Sequence, residues 1–104
     1  MELTTLDRLL LLGILPAEGD VTTLRIVRDL QRDLSFSEQE YADLQLVQAD
    51  GQVTWDRSHD QPKDVSVGLK ATNLIVGVLQ RLSDDKKLTS QHLALWDKFV
   101  GEGG

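Results

Sequence analysis

The sequence predicts a mainly helical α+β protein, with four to five helices around a central apolar N-terminal helix and one β-hairpin packed against them. Three observations carry that expectation. Residues 3–15 are the most apolar stretch of the chain, with leucine at positions 3, 6, 9, 10, 11, 12 and 15. Apolar residues recur at helical spacing over 24–34, 71–82 and 93–100. Between these helical segments, Asp50-Gly51 separates two short runs of period-two alternation, a strong local hairpin signal.

The first helix is expected from about Thr5 to Leu15. Thr4 is a good N-cap, Asp7 stands three residues on in a near capping-box arrangement, and Pro16 disfavours helix at Leu15. Apolar side chains fall on nearly every side of this helix, the pattern of a buried element or of one shared with a partner. Eleven residues rise only about 16 Å, half a bilayer core, and Asp7 and Arg8 interrupt the run. Neither a membrane span nor a signal peptide is expected.

A second helix should start near Asp20 or Thr22 and run to Leu34. Leu24, Ile26, Val27, Leu30 and Leu34 share one side, and Arg25, Arg28 and Arg32 form a basic stripe on the other. The ordinary reading of that stripe is a solvated face trimmed by ion pairs such as Arg25 with Asp29, four residues apart. The functional reading is contact with an anion or a partner. Ser37 and Glu40 then make a capping box, with Phe36 and Tyr41 at the two positions of a hydrophobic staple, so a third helix begins at Ser37.

From Leu44 the period changes, and Leu44–Ala49 reads as a strand returning through Gln52–Trp55. That register sets Ala49 against Gln52, Gln48 against Val53 and Leu46 against Trp55, which places Leu44, Leu46, Val53 and Trp55 on one face. Residues 56–64 are polar throughout and read as an exposed, mobile loop. Val65–Val67 reads as either a short strand or a lead-in to the next helix. Beyond Gly68, Ala71, Leu74, Ile75, Val78, Leu79 and Leu82 make one broad stripe, with Leu69 and Val76 opposite. A last helix is expected from about Ser90, capped by Thr89, to Val100, with Leu93, Trp96 and Val100 on one side and Leu95 and Phe99 beside them. Residues 1–101 fit a single domain, and 102–104 read as a disordered tail.

Composition narrows the chemistry. The chain lacks cysteine, which removes disulfides, thiolate metal sites and cysteine nucleophiles and fits a reducing compartment. Eleven basic residues against seventeen acidic ones leave a net charge of −6. Residues 37–64 hold most of that excess, with a local balance of −5. His59 sits in the polar loop and His92 in the first turn of the last helix, neither with readable ligand spacing. Asp84-Asp85 falls at a helix end, where a turn is the ordinary use of acids. Single glycines are scattered, with no phosphate-binding loop. No catalytic, cofactor or metal residue is therefore expected, and Arg25, Arg28 and Arg32 are the candidate interaction residues.

Two stretches carry a resemblance: Leu3 to Glu40, above all Leu-Leu-Gly-Ile-Leu-Pro-Ala-Glu-Gly-Asp and Leu-Ser-Phe-Ser-Glu-Gln-Glu, and the ending Lys87 to Phe99. They resemble small uncharacterised proteins encoded by bacteriophages and prophages. The resemblance rests on core and capping residues, so it implies context alone: an accessory protein in the cytoplasm of a bacterial host.

The expected function is thus non-enzymatic, binding a host or phage protein or a second copy of the chain, in part through an acidic surface that could mimic nucleic acid. The alternative is a winged-helix-like DNA-binding transcriptional regulator, since three helices followed by a hairpin is that element order. Its would-be recognition helix, residues 37–44, holds three acids and no base, so phosphate repulsion opposes nucleic-acid binding.

Overall fold

The computed structural model describes residues 1–101, apart from the side chain of His59; the tail expected at 102–104 lies outside the described residues. Five α-helices and two small antiparallel sheets build the mainly helical α+β architecture that the sequence predicts.

Helix α1 (Thr5–Ile14) opens on Thr4, whose hydroxyl accepts from the Asp7 amide while the Asp7 carboxylate accepts from the Thr4 amide. It ends at Leu15, extended before Pro16. Leu11 is fully buried, and Leu10, Leu12, Ile14 and Leu15 pack half-buried against the core. Asp7 and Arg8, the two charges in the apolar run, are buried as well.

Helix α2 (Val21–Leu34) is capped by Asp20, which accepts from the Thr23 amide; that bond draws the Asp20 pKa below its usual value. Val27, Leu30 and Leu34 face the core, while Leu24, expected among them, is exposed at the open end of the helix. Helix α3 (Glu38–Leu44) has both devices its sequence advertises: the Ser37–Glu40 capping box, and Phe36 edge-on to Tyr41 with ring centroids 6.0 Å apart.

The helix runs through Leu44, so the following strand is shorter than periodicity implied. Gln45 adopts a left-handed conformation (φ 50°) that stops α3, Leu44 is buried as part of it, and β2 (Val47–Ala49) begins only afterwards. Strand β3 (Gln52–Thr54) pairs in the expected register, Ala49 with Gln52 and Gln48 with Val53. Asp50 and Gly51 both take positive φ, as a two-residue hairpin turn requires.

A second sheet is added that periodicity does not announce. Strand β1 (Glu2–Leu3) pairs antiparallel with β4 (Lys63–Asp64), and the Val65 amide continues the ladder to the Met1 carbonyl at 2.8 Å. The strand thus lies at 63–64, just before the Val65–Val67 segment, and it carries Leu3 and Val65 into the core. Residues 56–64 are less of a loose loop than their polarity implied. A 3-10 turn spans Arg57–His59, and Asp60 is drawn inward to bond α1.

Helix α4 (Leu69–Asp84) buries Ile75 and Leu79 and leaves Leu69 76% exposed, whereas Val76 packs against the core margin. After a turn through Lys86, residues Ser90–His92 form a 3-10 turn that leads into α5 (Leu93–Phe99). The inward residues of α5 are Leu95 and Phe99, with Trp96 and Val100 half-buried; Leu93 points to solvent. The 3-10 start rotates the following helix relative to the face assumed for a continuous helix from Ser90. One apolar cluster results, holding Leu3, Leu11, Leu30, Leu34, Val65, Ile75, Leu79, Leu95 and Phe99.

Leu79→Ala should cost about 3 kcal/mol, the usual range for emptying a fully buried leucine site, whereas Leu69→Ala should change stability by less than about 0.5 kcal/mol. Urea denaturation of the two variants checks the contrast.

Candidate functional site

Helix α1 directs its one arginine into the junction where α2 ends and α3 begins. The Arg8 side chain is 3% exposed. Its Nε donates to the Leu34 carbonyl at 3.1 Å and its Nη2 to the Ser35 carbonyl at 2.7 Å, two of the acceptors that a helix C-terminus leaves unpaired. The same fork meets Glu40, Nη1 to Oε2 at 2.5 Å and Nη2 to Oε1 at 3.3 Å, and lies 3.9 Å from the Phe36 ring centroid. Glu40 also accepts from the Ser37 amide at 3.1 Å, so one carboxylate caps α3 and binds α1. Hydrogen bonding from Arg8 holds the Glu40 carboxyl down at about 2, against the penalty of partial burial.

The neighbouring residues repeat the pattern. Asp7 accepts from Lys98 of α5, whose ammonium also reaches the Glu2 carbonyl at 3.2 Å. Asp60 accepts from the Thr5 hydroxyl at 2.6 Å and the Thr5 amide at 3.2 Å through one oxygen, and from Trp55 Nε1 at 3.1 Å through the other. A cleft of about 300 Å³ lies beside this network, lined by Thr5, Arg8, Glu40, Asp43, Ser58 and Gln61 among others. Every buried polar side-chain atom among the described residues has a hydrogen-bond partner. Groups saturated in this way hold elements together.

Arg25, Arg28 and Arg32 lie on the exposed face of α2. Asp29 pairs with Arg28 at 3.6 Å and Arg32 at 3.8 Å, and Asp33 with Arg32 at 3.5 Å. The pair expected between Arg25 and Asp29 is absent; among the described residues Arg25 makes no ion pair. Two of the three cations are therefore partly neutralised by their own helix.

Two further depressions flank the helices. The first, about 450 Å³, runs between α2 and the start of α4, with Ile26, Leu30 and Ala71 along it, Asp29, Asp33 and Lys70 at its rim and Leu69 at its lip. It shares Asp33 and Ser66 with a shallower hollow that reaches Arg32 and Lys63. The second, about 480 Å³, lies between α1 and the β2–β3 hairpin.

Of the remaining sequence candidates, the His59 side chain lies outside the described residues, and His92 and the Asp84-Asp85 pair have structural uses. His92 Nδ1 accepts from the Thr89 amide at 3.0 Å and closes the turn before α5. Asp84 ends α4 and Asp85 is its C-cap. Among the described residues no three His, Asp or Glu side chains converge as a metal site, and no helix is long and apolar enough to cross a membrane. No family model, curated protein or solved structure matches the chain.

Sequence reasoning missed the Arg8 junction, although a signal existed: a charge inside an apolar helix must find a counter-charge, and Glu40 belongs to the most readable cap in the chain. Arg8→Ala should destabilise by about 3–5 kcal/mol by stranding Glu40 and two carbonyls, and Arg8→Lys should restore little, because an ammonium cannot reproduce the planar fork. The Glu40 carboxyl is depressed in the folded state, so its stabilisation is fully present above pH 4.5 and is lost as pH falls toward 2. Glu40→Gln should lower stability at neutral pH by on the order of 2 kcal/mol and flatten the acid limb in that window, as measured by urea titrations across pH.

Proposed function

We propose that the chain is a non-enzymatic accessory protein that acts by binding another protein, in the bacteriophage or prophage setting its sequence resemblance implies, within the cytoplasm of a bacterial host. The observation that carries this reading is the groove between α2 and α4. Its floor is apolar, Leu69 stands 76% exposed at its lip, and charges of both signs, Asp29, Asp33, Arg32, Lys63 and Lys70, surround it. An apolar centre inside a mixed-charge polar rim is the anatomy of a protein interface, whereas a nucleic-acid surface needs a field of one sign. Arg25, which makes no ion pair among the described residues and lies on the neighbouring face of α2, supplies a further contact for an acidic partner residue.

A DNA-binding regulator of winged-helix type is the second reading, supported by the order α1, α2, α3 and hairpin and by the exposure of Arg25, Arg28 and Arg32. Two facts weigh against it. Helix α3 presents Glu38 and Asp43 to solvent, and Arg28 and Arg32 already face Asp29 and Asp33.

Affinity capture from phage-infected bacterial cells, followed by mass spectrometry, should return a dominant protein with the wild type. That protein should be lost with Leu69→Asp at unchanged thermal stability. Identical capture by both proteins would sink the groove as the interface. For the second reading, three phosphate contacts would give a salt slope near −2.7. Submicromolar, sequence-selective duplex binding that disappears in the Arg25→Ala, Arg28→Ala, Arg32→Ala triple variant would favour the regulator instead.

A further inference from the structure

We propose that the cleft between α1 and the β2–β3 hairpin binds a small monocarboxylate bearing an apolar chain. This site lies apart from the α2–α4 groove and does not depend on the protein-binding reading. Leu6, Leu9 and Leu10 line it on α1, and Val53 and Trp55 line it on the hairpin side, all five half-buried. Its volume, about 480 Å³, falls within the roughly 300–1,000 Å³ of small-molecule sites.

Charge selects the ligand. The protein carries a net −6, yet among the described residues no carboxylate lines this cleft and Arg57 is its one charged lining residue. The Arg57 guanidinium carbon lies over the Trp55 ring, 4.6 Å from its centroid. Among the described residues the Arg57 guanidinium makes no hydrogen bond or ion pair, so its N–H donors are unspent beside the ring. Trp55 is itself fixed, because its Nε1 donates to Asp60, whose oxygens are occupied by Trp55 and Thr5. A cation held against a fixed ring beside an apolar floor matches one carboxylate joined to one hydrocarbon segment. A single arginine fork takes a planar carboxylate in two parallel hydrogen bonds. The Gln52 and Gln91 amides on the lining add neutral donors without opposing charge.

The test is a titration of the full chain, with isoleucine, leucine and valine methyls and the tryptophan indole nitrogen labelled for NMR, using sodium octanoate, uncharged 1-octanol and octyltrimethylammonium as probes. Octanoate should give saturable shifts at the methyls of Leu6, Leu9, Leu10 and Val53 and at the Trp55 indole N–H, and should bind more tightly than either other probe. Arg57→Gln should weaken octanoate about tenfold while leaving 1-octanol unchanged, the expected effect of losing a charge-assisted pair. Arg57→Lys should fall between the two. Absence of saturable shifts at these positions, equal binding of octanoate and 1-octanol to the wild type, or shifts centred on Ile26, Leu30 and Leu69 would each overturn the proposal.

Discussion

The fold depends on a buried guanidinium. Arg8 is enclosed where three helices converge, and a charge taken out of water is tolerable only if its hydrogen bonds are met where it lies. Here the acceptors are two carbonyls at the end of α2 and the carboxylate that caps α3. The arginine thereby fixes how far α2 extends, where α3 begins and how both sit on α1. A hydrophobic side chain of the same volume would fill the space without specifying those three positions, and conformational specificity is the best account of a charge at this place.

Asp7 and Asp60 extend the principle. Each accepts from α1 and from a distant element, Asp7 reaching α5 through Lys98 and Asp60 reaching the hairpin through Trp55. The first turn of α1 is therefore a polar hub, while its later leucines feed the core and line the hairpin cleft. The two surface depressions differ in character for the same reason. The α2–α4 groove opens where two amphipathic helices meet, with no polar strut between them among the described residues. The α1–hairpin cleft is bordered by a strut, the Asp60–Trp55 bond, which holds its aromatic wall in place.

Local signals proved the most legible part of the sequence. Thr4 with Asp7, Ser37 with Glu40, Phe36 with Tyr41 and Asp50-Gly51 each formed as read, because each involves partners within five residues and is decided by backbone geometry. The hydrophobic stripe of α4 was equally readable. The pairing of Glu2–Leu3 with Lys63–Asp64 was not, since two-residue strands have no period and their partners lie some sixty residues apart. Long separation also hid the Arg8 junction, whose partners lie 26 to 32 residues on, and the inward turn of Asp60, 55 residues from Thr5, whose neighbours look like ordinary loop. Leu93 was misplaced for a local reason, the tight turn at Ser90–His92 that resets the phase of α5. Of the site residues, Arg25, Arg28 and Arg32 were visible as a stripe trimmed by helical ion pairs, but that Arg28 and Arg32, and not Arg25, pair with Asp29 and Asp33 emerges only from side-chain geometry. Arg57 and Trp55 meet across a strand end that sequence treats as the start of a loop.

The pairing of β1 with β4 also bears on how the chain assembles during synthesis. Residues 2–3 cannot acquire their strand partner until residue 64 has left the ribosome, and Asp7 waits for Lys98, almost the whole chain later. The partners of Arg8 lie nearer, at residues 34–40, so the first three helices can dock on that ion pair while the nascent chain is still half made. Until Leu95 and Phe99 emerge, the cluster around Leu11 lacks one of its walls and a leucine-rich helix stays incompletely covered. The sequence order of these contacts gives a reason for placing an arginine inside the most apolar segment: its partners, at residues 34–40, leave the ribosome before Leu95 and Phe99, which cover the helix in the finished fold.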